Sequence, residues 1–142
     1  RVALQDGNPS LEQSEWRWNI NTSYNLGTFD SGLLKYMGNL TVGGGVRWQD
    51  KVGIGFAVDR NALGDFAQNV NRPYWGDSTL FVDVFARSRW ALRNDRAVSV
   101  QLNIKDLTDN SDLQAYVANP DGSELYRIFE GRLFTASATF EF

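Results

Sequence analysis

Three aspartates, Asp106, Asp109 and Asp112, recur at intervals of three in the stretch DLTDNSD. A calcium loop of the EF-hand type spaces its ligands by two, bends at a glycine and closes on a glutamate. Here the spacing is wrong and both of those residues are missing, so no metal is expected. Gly43-Gly44-Gly45 is a second candidate. A glycine-rich phosphate cradle needs a following Lys-Ser/Thr and a helix. The triplet leads instead into Val46, Arg47 and Trp48, and glycine inside a strand marks curvature, a bulge or a close backbone approach. A third candidate is the aromatic pair Tyr74 and Trp75, with Arg72 just before it and Tyr116 in a later connection. Such side chains can stack on a ligand or anchor their loop.

The chain lacks both Cys and His. That removes disulfides, a thiol nucleophile, Ser-His and Cys-His catalysis and His-ligated zinc. Paired carboxylates are the acid–base chemistry left in principle, and the chain is not expected to be an enzyme or to carry a cofactor. A net charge of −3 argues against nucleic acid as a partner. Asn21-Thr22-Ser23 and Asn39-Leu40-Thr41 match a glycosylation acceptor. Both fall inside expected strands and are read as chance.

What must position these residues is a set of strands. In the closing stretch GRLFTASATFEF, Phe134, Ala136, Ala138, Phe140 and Phe142 share one face, and Thr135, Ser137, Thr139 and Glu141 the other. Period two over this length is a strand with one apolar and one polar face. The same alternation runs through 15–25, with Trp16, Trp18, Ile20 and Tyr24 against Arg17, Asn19 and Asn21. It recurs in 39–49, with Leu40, Val42, Val46 and Trp48 on one face, and in 97–105, with Val98, Val100, Leu102 and Ile104. The stretch 78–90 is less regular, because Phe81 and Phe85 join Asp83, Arg87 and Arg89 on the polar side, where they can touch something filling a lumen. The expected fold is all-β: an antiparallel up-and-down meander of about five long strands.

The connections differ in length. Residues 91–96 form a tight turn around Asn94-Asp95, whereas 50–77 and 106–130 are long. Within the first, 52–56 can extend the sheet and the remainder shows no period. Within the second, Asn119-Pro120-Asp121-Gly122 is a turn between 114–117 and 124–128, which implies a projecting hairpin. Residues 1–14 are polar and turn-rich, and the start RVALQDGNPS carries neither Met nor an apolar leader. A piece of a longer chain is expected.

Alternating short and long connections are the habit of bacterial outer-membrane barrels, with short turns in the periplasm and long loops outside. Apolar side chains then face lipid and polar ones a hydrated lumen. Trp16, Trp18, Trp48 and Phe134 fall near the outer ends of their strands, and Tyr24, Trp90, Phe140 and Phe142 near the inner ends. Two aromatic belts at two levels suit two membrane interfaces. No run of 18 apolar residues exists, so a membrane-crossing helix is not expected. A negative mean hydropathy does not count against strands that hide their apolar half by alternation.

Four stretches carry a resemblance: LTVGGGVRWQ at 40–49, 82–90, VQLNIKDLTD at 100–109 and the closing 131–142. Together they resemble the C-terminal part of a TonB-dependent outer-membrane receptor. Asn103, Leu107 and Asp109 match the family's NVxNLFD junction, with Thr108 in place of its usual aromatic residue, and Arg132 and Phe142 match its closing strand. The resemblance runs from about residue 15 onward. It implies that the whole chain is the C-terminal fragment of a barrel of about 22 strands with a plug inside, the plug itself being absent. Such receptors sit in the bacterial outer membrane, bind an iron chelate, cobalamin or glycan outside, and import it with energy passed through TonB. Implied partners are outer-membrane lipid, the rest of the barrel and its plug, TonB through the missing N-terminal part, and a small nutrient ligand. Phe134, Ala136, Ala138, Phe140 and Phe142 would form the signal read by the barrel assembly machinery. Arg72, Tyr74, Trp75 and Tyr116 would be extracellular-loop contacts to the ligand.

Two other readings of the residues stay open: a different outer-membrane barrel such as an autotransporter translocator, and a soluble β-sheet module that binds glycans through Trp and Tyr. On the barrel reading a few strands leave two open edges and make no stable soluble domain. That reading also predicts that Val84→Arg, at mid-membrane, costs roughly 2–4 kcal/mol of folding free energy in lipid, whereas Trp16→Arg or Trp48→Arg at the interface costs little. Denaturant titration in vesicles checks this. Equal tolerance at Val84 and at the lumen position Gln101 counts against the barrel.

Overall fold

The computed structural model describes residues 10–60 and 63–142. Most of the expected opening loop and residues 61 and 62 lie outside them. The order of elements is β1 Arg17–Gly27, a 3-10 turn Leu33–Met37, β2 Asn39–Gln49, β3 Gly53–Arg60, β4 Phe66–Trp75, β5 Thr79–Ala91, β6 Ala97–Lys105, β7 Leu113–Ala118, β8 Glu124–Ile128 and β9 Leu133–Glu141. The long strands form one antiparallel sheet in the order β1-β2-β5-β6-β9, which is not closed on itself. The all-β meander expected from alternation is therefore the observed fold.

Register decides which residues share a face, because a slip of one residue would invert every side chain. Trp90 pairs with Val98, and Val98 with Phe140; Ala86 pairs with Leu102, and Leu102 with Ala136; Val84 pairs with Ile104, and Ile104 with Phe134. Even-numbered residues thus meet even-numbered residues across three strands, and their apolar side chains make one continuous face. Ile20, Tyr24, Leu102, Phe134 and Phe140 on that parity are all exposed. A connected apolar surface of this kind is unusual on a water-soluble monomer.

The odd-numbered face is polar and bonded to itself. Arg89 reaches Glu141 at 2.6 Å and Arg87 lies 3.9 Å from the same carboxylate. Arg47 pairs with Asp83 at 3.0 Å, and Gln101 donates to Asn103 at 2.7 Å. The two phenylalanines that broke the sequence pattern are absorbed here. A Cβ on Gly43 would stand 2.6 Å from the Phe85 ring, so that ring covers a strip of bare backbone. This is aromatic cover of a strand glycine. The Arg47 guanidinium faces the Phe81 ring at 5.3 Å.

The described residues divide into two compact units, one built from Asn19–Arg47, Phe81–Asn110 and Glu130–Phe142, the other from those within 1–18, Trp48–Leu80 and Ser111–Phe129. The second unit contains two hairpins, β3–β4 and β7–β8. Val52, Ile54, Ala115 and Ala118 form its small core, with Tyr74 packed against them. The hairpin expected around 119–122 is present. Two expectations need correction. Residues 52–56 do not extend the sheet but open β3, and the stretch read as aperiodic contains β4. Register shifts between Gly53 and Gly55 and between Phe56 and Val58 interrupt the alternation, and Pro73 supplies no ladder N–H.

At the end of the sheet that carries the tight turn, Asn94 and Asp95 both adopt positive φ, 61° and 58°. They lie in a tight loop of three residues, 93–95, inside the Leu92–Arg96 backbone bond, and Asn and Asp tolerate the left-handed backbone it needs. Gly38, which leads into β2, has φ 62°, and a Cβ there would fall onto the Arg89 carbonyl oxygen and 2.8 Å from Trp90 Cδ1. Left-handed backbone costs a side-chain-bearing residue roughly 1–2 kcal/mol before any clash is counted. Gly38→Ala is therefore expected to lower the denaturant midpoint of the refolded chain by at least about 1 kcal/mol of stability. Gly27→Ala, where nothing lies within 4 Å, should show the backbone cost alone. Equal losses at the two positions would refute the steric argument.

Candidate functional site

The closest gathering of polar groups lies where β6 leaves the sheet. Asp106 and Asp109 take left-handed conformations, φ 53° and 59°, and turn the chain out of the strand. The Asp106 side chain is almost wholly enclosed, at 1% exposure. One of its oxygens accepts from Thr108 Oγ1 at 2.6 Å and Asn110 Nδ2 at 2.7 Å, and the other accepts from the Asn110 backbone N–H at 2.8 Å. Its own N–H donates to Asp83 Oδ1 at 2.9 Å, and the Leu107 N–H donates to the Val82 carbonyl at 2.6 Å. β5 and β6 are thereby fastened together beyond the last ladder pair.

Asp109 and Leu107 then receive the next strand. The Arg132 backbone N–H donates to Asp109 Oδ1 at 2.8 Å, and its guanidinium donates to the Leu107 carbonyl at 2.9 Å. Two stretches that attracted notice separately in the sequence are thus one structure. Burial pulls the Asp106 carboxyl up, but the hydrogen bonds from Thr108 and Asn110, with help from the Arg132 charge, outweigh it and hold the group below its ordinary value of 3.8. The carboxylates of Asp106 and Asp109 serve the chain's own donors. Among the described residues no group of three or more potential metal ligands is gathered.

The four residues expected to touch a ligand have different surroundings. Tyr74 packs on the small core of the paired hairpins, and its hydroxyl lies 3.6 Å from where a Gly122 Cβ would stand. Arg72 is tied to Asp59 at 2.8 Å, and Asn69 Nδ2 donates to the same carboxylate at 2.7 Å. The Asn69 bond, and after it the Arg72 bond, hold the Asp59 carboxyl below its ordinary value. Trp75 is exposed, with Lys51 Nζ 4.7 Å from its ring centroid. Tyr116 is exposed beside the β7 bulge. Trp75 and Tyr116 retain a surface for stacking, whereas Tyr74 is chiefly a packing residue.

Of the expected aromatic belts, Trp18 and Trp48 stack at 6.1 Å with their planes 28° apart, and the Trp16 carbonyl accepts from the Asp50 N–H. Trp90 and Phe140 share one row across β5, β6 and β9, and Phe142 is 98% exposed. The odd-numbered face, expected from the sequence to front a hydrated lumen, carries a recess that the sequence did not single out. Asn21, Ser23, Asp83, Phe85, Asn103 and Lys105 line an open groove of about 550 Å3 there, floored by Gly44 and Gly45. Its signal was the Asn- and Ser-rich odd face of β1 opposite three consecutive glycines.

The junction yields a pH test. Because the Asp106 pKa is lower in the folded chain, the unfolded chain binds more protons between the two values. The stabilisation is complete above the ordinary value near 3.8 and is lost as pH falls through the depressed folded one. Asp106→Asn should destabilise the chain at neutral pH by about 1–3 kcal/mol. It should also flatten the acid limb of a stability–pH curve. An unchanged acid limb would show that another carboxylate governs it.

Compared with known proteins, the chain matches no family model, no curated protein and no solved structure.

Proposed function

We propose that this chain is part of the wall of a transmembrane β-barrel in a bacterial outer membrane, and that the barrel is a TonB-dependent active transporter. The observation that carries the membrane reading is the sheet's division by parity. A continuous, exposed apolar face lies back to back with a polar face whose charges are paired among themselves. Lipid on one side and a hydrated lumen on the other satisfy both faces at once. Among the described residues β1 and β9 are the outer strands of the sheet, and such edges fit a sheet that continues into further strands, since an exposed edge of this length invites pairing.

The transporter reading rests on the resemblance and on the contact between its two motifs at Asp109 and Arg132. On it, a scarce nutrient is bound outside, near the hairpins β3–β4 and β7–β8, where Trp75 and Tyr116 offer stacking surfaces. The wall itself performs no catalysis and holds no cofactor. Energy coupling belongs to a plug and a TonB-contacting segment elsewhere in the protein. The even-numbered residues of β9 ending at Phe142 serve as the assembly signal.

The coding sequence on the N-terminal side of Arg1 tests this most directly. A leader, a plug and about seventeen further strands are expected there. A start codon close to Arg1 would overturn the transporter reading in favour of a self-contained β-sheet binder. In cells, deletion of Phe142 from the encoded protein is expected to reduce its yield in the outer membrane and leave unassembled chain in the periplasm. Undiminished assembly would remove the proposed role of the last strand.

A further inference from the structure

The connection between β1 and β2 is more than a turn. Its 3-10 segment Leu33–Met37, LLKYM, is apolar, yet Leu33 is 86% and Tyr36 68% exposed. Water is a poor home for such a segment, and it is not loosely held. Gly32 and Gly38 bracket it with positive φ, and Trp90 Nε1 donates to the Tyr36 carbonyl at 2.8 Å. That bond lays the segment over the even-numbered face of the sheet. Beneath it runs a groove of about 300 Å3 lined by Tyr36, Met37, Leu40, Ala86, Trp90 and Val100. The underside of the segment is therefore continuous with the apolar face, while its outer side remains uncovered.

Basic side chains stand at this end of the sheet together with the carboxylates Asp30, Asp95 and Glu141, the last of them paired with Arg87 and Arg89. Lys35 lies within the segment, its Nζ 4.8 Å from the Tyr36 ring centroid, and Arg93 and Arg96 flank the neighbouring tight turn, against the single carboxylate of Asp95 in that turn. Leu92 and Phe142, at the same end of the sheet, are also exposed. Apolar and aromatic side chains mixed with Lys and Arg, lying flat rather than crossing, are the composition of a segment that rests in a bilayer interface.

We propose that Leu33–Met37 is an interfacial anchor seated at the headgroup level of a phospholipid leaflet. Leu33 and Leu34 reach toward the acyl chains, and Lys35 pairs with the phosphate of an anionic lipid. This rests on the membrane reading of the sheet and adds a lipid-contacting element at one rim. It would fix the height of the wall in the leaflet in addition to the aromatic belt.

These 142 residues hold no cysteine, so single cysteine labels can be introduced among them one at a time. Nitroxides at Leu33→Cys, Ala136→Cys on the apolar face and Gln101→Cys on the polar face are compared in the full chain refolded into vesicles. The vesicles are of phosphatidylcholine with or without phosphatidylglycerol, and oxygen and a polar nickel chelate serve as relaxants. The Leu33 label should report a depth between the deep Ala136 label and the water-exposed Gln101 label. Phosphatidylglycerol should move it toward the lipid, and Lys35→Gln should abolish that shift. A water-exposed Leu33 label beside a deep Ala136 label would overturn the anchor and leave the barrel wall standing. Water exposure of both would overturn the membrane reading and the anchor with it.

Discussion

Everything in the sheet depends on register. Across β5, β6 and β9 the apolar and polar faces exist only because even-numbered residues oppose even-numbered residues, and one slipped residue would place Arg87 and Glu141 among the apolar side chains. Ladder hydrogen bonds do not specify this by themselves, since a shifted ladder makes as many. Two devices pin the register instead. At one end of β5 and β6 the two left-handed residues Asn94 and Asp95 allow a single tight pairing, closed by the Leu92 N–H on the Arg96 carbonyl at 2.7 Å. At the other end the Asp106 junction fastens Asp83 and Val82 to the departing chain and then offers Asp109 and the Leu107 carbonyl to Arg132. β9 enters the sheet one residue after Arg132, so its pairing with β6 is fixed before its first ladder bond.

The junction shows why buried acidic groups are not by themselves evidence of a metal or a catalyst. Asp106 bears the cost of desolvation and is compensated by three donors within four residues of it. Its function is mechanical: a carboxylate accepts in several directions, whereas an amide would present donors where acceptors are required. The same economy of parts appears on the polar face, where Phe85 covers Gly43 and ion pairs join strands that are not neighbours. Arg89 on β5 meets Glu141 on β9 across the intervening β6. Exposed pairs of this kind add little to stability in water, and their value lies in opposing a slip that would bury them.

The sheet was legible in the sequence because alternation is a local signal. β2 and β6 fall on the expected residues, and the remaining long strands differ only at their ends. β4 was not legible. Its partner β3 bulges twice and Pro73 breaks its ladder, so the physical pairing leaves no period to read. The Asp106 junction was half legible: the aspartates stood out by type, but their partner Arg132 lies a hairpin away in sequence, and only the fold brings them together. The ligand candidates fared as their residue types allow. Aromatic side chains near loops mark both packing and recognition, and nothing local to Tyr74 distinguishes it from Trp75. The pairing with β3 does, since adjacent residues on a strand point to opposite faces and only Tyr74 meets the core of Val52, Ile54, Ala115 and Ala118.

That contrast extends to the difference between the long strands and the hairpins. Register, face and junction constrain nearly every residue of the long strands, because each serves one of two incompatible surroundings. The hairpins answer to a smaller demand. Their core is two valine- or isoleucine-sized side chains and two alanines, closed by close backbone approaches: a Cβ on Gly55 would stand 2.5 Å from the Ala118 carbonyl oxygen. Positions outside that core, Arg72, Trp75 and Tyr116 among them, are not held by it. The long strands are held by their register and by the junction at Asp106, whereas the hairpins are held by a core of four side chains.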